Sequence, residues 1–245
     1  YYLNPCGPPG TTENANCWGW GYAMLPFIEQ APLYQSLPWN YGWFGPNTAP
    51  AAPSVLRQPL SGYVCPSDSG DPLNASYFGS YARASYVCNE GVIRWPTSTT
   101  TPSTSMADVR DGTSNTLLVG ERAYVNQGLP FRSRGSIWMG RHANTNAANL
   151  GRAAWPPNTS EYNDTPDTCK RHSFTSLHPG GALFVFVDGS THFISETIDS
   201  YTGYADCAAT EAFNTFMTAA ANATLLNRVY QNLYRMSDGN PVGSF

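Results

Sequence analysis

Four histidines (His142, His172, His178 and His192) and six cysteines (Cys6, Cys17, Cys65, Cys88, Cys169 and Cys207) are the side chains best equipped for chemistry, and their spacing excludes several kinds of it. No cysteine pair is spaced C-x2-C, so a zinc finger or ribbon is not indicated. H-E-x-x-H is absent, which removes the zincin arrangement. G-x-S-x-G is absent too, and with it the sharp-turn serine of many Ser-His-Asp hydrolases. His172 and His178 lie six apart in a loop, no standard metal spacing. Nothing marks Glu29, Glu90, Glu121 or Glu161 as the acid pair of a glycosidase. An even set of widely spaced cysteines reads as disulfides formed in an oxidising compartment. The sequential pairing is expected, Cys6–Cys17, Cys65–Cys88 and Cys169–Cys207, because each pair brackets one compact segment. A fully paired set leaves no cysteine nucleophile.

Oxygen ligands are the remaining metal donors. Glu161, Asn163, Asp164 and Asp167 fall close together and could gather the oxygens that calcium needs. Without an EF-hand order the first expectation is a solvated acidic loop, with no cofactor, and calcium is the alternative. Asn-x-Ser/Thr triplets at Asn74, Asn158, Asn163 and Asn222 mark possible glycosylation positions and fit an exposed surface.

Two segments stand out for their turn chemistry. In Asp111-Gly112-Thr113-Ser114-Asn115-Thr116-Leu117-Leu118-Val119-Gly120-Glu121, Asp111 and Asn115 can bond nearby backbone, Gly112 supplies a positive φ, and a buried strand follows. That chemistry explains the residues without making Asp111 or Glu121 an acid, base or ligand. His178-Pro179-Gly180-Gly181 precedes the best strand, Ala182 to Val187, and Asp188-Gly189 follows it as a tight turn into Thr191 to Ile194. A strand of that length spans about 20 Å, so His178 and Asp188 sit at opposite ends and form no catalytic pair unless the Gly-Gly bend folds the histidine back. The expectation is a histidine that satisfies loop carbonyls and an aspartate that closes a hairpin.

The elements that position these groups are short. Pro26 confines any helix in Trp18 to Tyr34 to the part after it, with Met24, Leu25, Phe27 and Ile28 as its apolar face. Tyr63-Val64-Cys65, Ser80 to Cys88 and Ile137 to Gly140 read as strands, and Pro66-Ser67-Asp68 as a turn. Residues 97–105 are hydroxyl-rich and suit an exposed, O-glycosylated loop. Residues 143–169 read as a surface insertion, and Thr210 to Arg235 has helical spacing. Only 12% of the 245 residues are charged, against about 25% in an average domain, and Gly, Pro and aromatics are frequent, a composition that suits a secreted, loop-rich protein. The net charge of -4, with no basic stripe, argues against a nucleic-acid partner. No apolar run of about 18 residues is present. The opening at Tyr1-Tyr2-Leu3, without Met, suggests the body of a longer precursor.

Taken together, these segments resemble the bacterial prepilin-type family with a His-(nine residues)-Asp-Gly processing-associated motif, a family of unknown function expanded in planctomycetes. The matching landmarks are Trp20 to Tyr34, Tyr63 to Asp68, Ser85-Tyr86, Asp111 to Glu121, His178-Pro179-Gly180-Gly181, Val187 to Ser190, and the tail from Val229. Asp111, Gly112, Glu121, His178, Gly180, Gly181, Asp188 and Gly189 are its motif residues here. The resemblance implies a prepilin leader and a membrane-inserted helix ahead of this segment, and no known catalytic residues.

The expected fold is therefore α+β, one pilin-like globular domain over 1–245. An antiparallel sheet would hold Leu183 to Val187 as a central strand, under long disulfide-stapled loops. The expected function is structural and non-enzymatic: a subunit of a bacterial extracellular filament, tube or secretion pseudopilus, with copies of itself or related pilin-like subunits as partners. The membrane would be reached only through the N-terminal helix. Trp39, Tyr41, Trp43 and Phe44 are candidates for subunit contact. They would equally serve a surface carbohydrate-binding module, by stacking on sugar rings.

Overall fold

The computed structural model describes residues 18–37, 54–76, 80–93, 104–125, 133–140, 148–159, 172–201, 228–240 and 242. Cys6, Cys17, Cys169 and Cys207, the aromatic group Trp39 to Phe44, Glu161 to Asp167 and Asn222 lie outside them.

The architecture is α+β. Among the described residues, three helices, α1 (Trp20–Met24), α2 (Ala31–Ser36) and α3 (Val229–Tyr234), accompany ten short strands. These are β1 (Leu73–Asn74), β2 (Tyr81–Ala84), β3 (Tyr86–Asn89), β4 (Leu117–Glu121) and β5 (Tyr124–Val125), then β6 (Ser133–Arg134), β7 (Ser136–Ile137), β8 (Leu150–Gly151), β9 (Gly181–Phe186) and β10 (Thr191–Ser195). The main sheet has the order β10-β9-β4-β3-β8, beside a three-stranded sheet β1-β2-β7 and a pair β5-β6. The main sheet departs from the antiparallel expectation at one pair, since β3 and β8 run parallel. β4, not β9, occupies its middle. No described helix is long and apolar enough to cross a membrane.

The β9–β10 hairpin forms as its pattern predicts. Ala182, Phe184 and Phe186 are buried while Leu183 and Val185 face outward, the period of two that places alternate side chains on opposite faces. Burying each phenylalanine stabilises the fold by about 1.5–3 kcal/mol. Tyr230, Leu233 and Tyr234 of α3 pack on that inner face. A six-residue helix is too short to persist alone, and side-chain hydrogen bonds to the rest of the chain secure it. Asn89 Nδ2 donates to Tyr234 O at 2.8 Å, and Gln231 Nε2 to Ala153 O at 3.0 Å.

Several local expectations are corrected. Ser80 to Cys88 is not one strand, because Ser85 interrupts it. The Ser85 N–H donates to Tyr63 O and its carbonyl accepts from Arg122 N, both at 2.7 Å. The chain thereby crosses from the small sheet into the large one. Tyr63 belongs to a 3-10 turn, Ser61–Tyr63, with only Val64 extended after it. Helix α1 precedes Pro26, which sits in a following 3-10 turn (Leu25–Phe27) where its missing N–H costs nothing. Leu25 is buried while Met24 and Phe27 are exposed, so the four apolar residues share no face. Beyond Ile137 the expected strand reduces to a single bridge, Trp18 to Gly140. Of the presumed surface insertion, residues 148–159 instead enter the core: Ala148, Leu150, Ala153 and Ala154 are buried. Small side chains let this segment lie against β3.

Candidate functional site

The segment that carries His178 is fixed first by backbone. Thr175 N donates to Glu121 O at 2.9 Å and Ala123 N to Thr175 O at 3.0 Å, so residues 173–176 run alongside the end of β4. The buried Arg122 guanidinium reinforces this. Its Nε donates to Ser173 O and its Nη1 to Leu150 O, each at 3.0 Å, and its Nη2 to His172 O. Asn158 clamps the far side, accepting from Ser176 N at 2.8 Å and donating to Glu196 at 2.9 Å. Entry into β9 then needs Gly181, where an added Cβ would lie 2.1 Å from Ile194 O. His178 is left facing the end of β4 rather than any loop carbonyl, which corrects the expectation for it.

Three side chains converge there. Cys65 Sγ lies 3.6 Å from His178 Nε2, and the same nitrogen lies 3.3 Å from Glu121 Oε1. All three ligand atoms fall within 4.8 Å of one another. The Glu121 side chain is 4% exposed and that of His178 30%. The second Glu121 oxygen is held by Leu183 N–H at 2.8 Å. Tyr86 is the cross-strand neighbour of Glu121. Burial, then the Cys65 and Glu121 charges and a hydrogen bond to Cys65, push its hydroxyl up to about 12.

Cys65 and Cys88 are both buried free thiols, so the expected Cys65–Cys88 disulfide does not form. Cys65 points at His178, whereas Cys88 lies two residues beyond Tyr86 on β3, packed with Leu150 against Val119 and Ile93. That step along a strand is about 7 Å. Burial raises the Cys88 thiol well above its ordinary range.

A shallow recess adjoins the cluster, lined by Cys65, Asp68, Ser85, Glu121 and Thr175 among others. It encloses essentially no free volume, against about 300–1,000 Å³ for ligand pockets, so it does not suit an organic substrate. A thiol beside an imidazole suggests an activated nucleophile. In a triad, however, the orienting acid holds the ring nitrogen opposite the nucleophile. Here thiol and carboxylate share Nε2, so the arrangement converges on a point instead of relaying a proton.

The other motif residues have structural work. Gly112 takes φ +100. Asn115 Nδ2 donates to Asp111 O at 3.1 Å, while the Asp111 carboxylate reaches beyond its own turn to accept from Asp238 N at 2.7 Å and Gly239 N at 2.9 Å. Asp188 closes the hairpin, accepting from Ser190 N and Oγ, contacts that hold its carboxyl below the ordinary range. It does not meet His178. Asn74 is corrected as a glycan position. It is fully buried and its amide nitrogen donates to Arg134 O and Ser136 O at 2.6 and 3.3 Å.

Glu121 and His178 were visible in the sequence as motif residues, whereas Cys65 was hidden by the disulfide reading and Tyr86 stood out only as half of the Ser85-Tyr86 landmark. One signal did exist: Cys65, Glu121 and His178 come from three different landmark segments. A family model described as "Protein of unknown function (DUF1559)" matches residues 4–201. No curated protein and no solved structure matches the chain.

Proposed function

We propose a structural role for this chain, which belongs to the family of unknown function whose model covers residues 4–201. In this reading it is a non-catalytic subunit of a bacterial extracellular assembly, a pilus-like filament, tube or secretion pseudopilus. Its partners are copies of itself or related pilin-like subunits. The observation that carries the reading is the outer face of the edge hairpin. Leu183 and Phe193 are direct cross-strand partners, 38% and 47% exposed. They sit where β10 has one strand partner among the described residues. An apolar pair on a sheet with an open edge favours association with another chain. The small recess and the shared Nε2 weigh against a catalytic alternative.

Electron microscopy of the native material, before detergent or reductant, tests the reading. Ordered filaments, tubes or sheets are expected, and a Leu183→Asp, Phe193→Asp variant should disperse them while melting as the parent does. Dispersed particles from the unsubstituted chain would sink it. A glycan-binding screen with Trp43→Ala would then examine the carbohydrate-binding alternative.

A further inference from the structure

We propose that Cys65, Glu121 and His178 bind one zinc-class divalent cation, with solvent as the fourth ligand. Zinc bonds of about 2.3 Å to sulfur and about 2.0–2.2 Å to nitrogen and oxygen set the edges of a tetrahedral site. Those bonds give about 3.6 Å between sulfur and nitrogen and about 3.4 Å between nitrogen and oxygen. The observed edges are 3.6 Å and 3.3 Å, and the third falls within 4.8 Å. Hydrogen bonding alone serves the cluster poorly. Nε2 offers one hydrogen or one lone pair yet has two polar neighbours, while a cation at the centre satisfies all three atoms.

The donor set selects the ion. Thiolate, imidazole and carboxylate together are zinc ligands, whereas calcium and magnesium take oxygen throughout. Two anionic ligands and a neutral imidazole balance a double positive charge. Arg83 is already paired with Asp68 at 2.6 Å, and Arg122 is turned toward carbonyls, so neither supplies the cluster with a cation. An outer contact is in place. Leu183 N–H fixes the carboxylate, the kind of support that orients metal ligands. The partly exposed His178 side chain gives solvent access. The ion would join the Cys65 loop, β4 and the approach to β9, segments as far apart as 113 residues.

The test uses the full chain, stripped of metal and kept reduced, titrated with zinc chloride against a chromophoric chelator and with cobalt(II) as a spectroscopic probe. One equivalent should bind, with a thiolate-to-cobalt charge-transfer band. Cys65→Ala and His178→Ala should each weaken binding on the order of 100-fold or more, and Cys88→Ala should leave it unchanged. His178 is partly exposed, so its variant should keep the parent's metal-free circular dichroism and decides the matter even where Cys65→Ala folds poorly. Absence of a stoichiometric site, or binding that survives His178→Ala, would overturn the proposal. Neither outcome bears on whether the chain assembles.

Discussion

Asp68 and Glu121 line the same recess, and both are buried, at 5% and 3% exposure. Their surroundings differ. Asp68 has the Arg83 guanidinium at 2.6 Å. It also accepts from Ser85 Oγ at 2.7 Å, Tyr124 N at 3.2 Å and Gly70 N at 3.3 Å. Glu121 has one backbone donor, Leu183 N–H, and otherwise meets an imidazole and a thiol. A buried charge must be paired, coordinated to metal, or neutralised. The chain supplies the partner for Asp68 from within and leaves that of Glu121 to come from outside. The first carboxylate is architecture, and the second is a place where something can bind.

The contrast can be broken from either side. Arg83→Ala removes the internal partner, and the orphaned Asp68 charge should cost about 3–5 kcal/mol of stability in chemical denaturation. On the Glu121 side, zinc at about 100 times its Kd should stabilise the native chain by about 2.7 kcal/mol. Cys65→Ala should abolish that increment. Without metal, Glu121→Gln should change stability by no more than about 1 kcal/mol, since Gln keeps an acceptor for Leu183 N–H and removes an under-compensated charge. A comparable loss from Glu121→Gln and Arg83→Ala would erase the distinction. The smallest effect concerns Tyr86, whose hydroxyl titrates near about 12 in the fold against about 10 unfolded. The unfolded chain releases this proton first, so the Tyr86 contribution is level below about pH 10 and is lost between about 10 and about 12. Tyr86→Phe should flatten part of that decline in urea melts at about pH 9 and about pH 11. Tyr63, Tyr230 and the Cys88 thiol, also raised by burial, add to the decline.

The β9–β10 hairpin was legible because one face is buried and the other open, so its alternation survives in the residue order. Tyr81 to Cys88 was not, since nearly every side chain there is buried. Without alternation nothing announces the break at Ser85. Residues 148–159 were misread because the wider stretch 143–169 is rich in Asn, Asp, Thr and Pro, while the packing is done by Ala148, Leu150, Ala153 and Ala154. The site was half legible. Turn chemistry and a strand end drew notice to His178 and Glu121, but only strand pairing brings them to Cys65. Counting cysteines assigned Cys65 elsewhere, because an even number says nothing of which sulfurs approach each other.

The main sheet is assembled from distant stretches of chain. Only β9 and β10 are joined locally, and Asn89 reaches Tyr234 across 145 residues. Non-local β topologies fold in milliseconds to seconds, and disulfides form and reshuffle in seconds to hours. In an oxidising compartment Cys65 and Cys88 would therefore race against the oxidant. A chain that closes its sheet promptly shelters both sulfurs before they can be captured, and a delayed one traps them in the wrong bond. Burial in the finished fold is what shelters these two sulfurs.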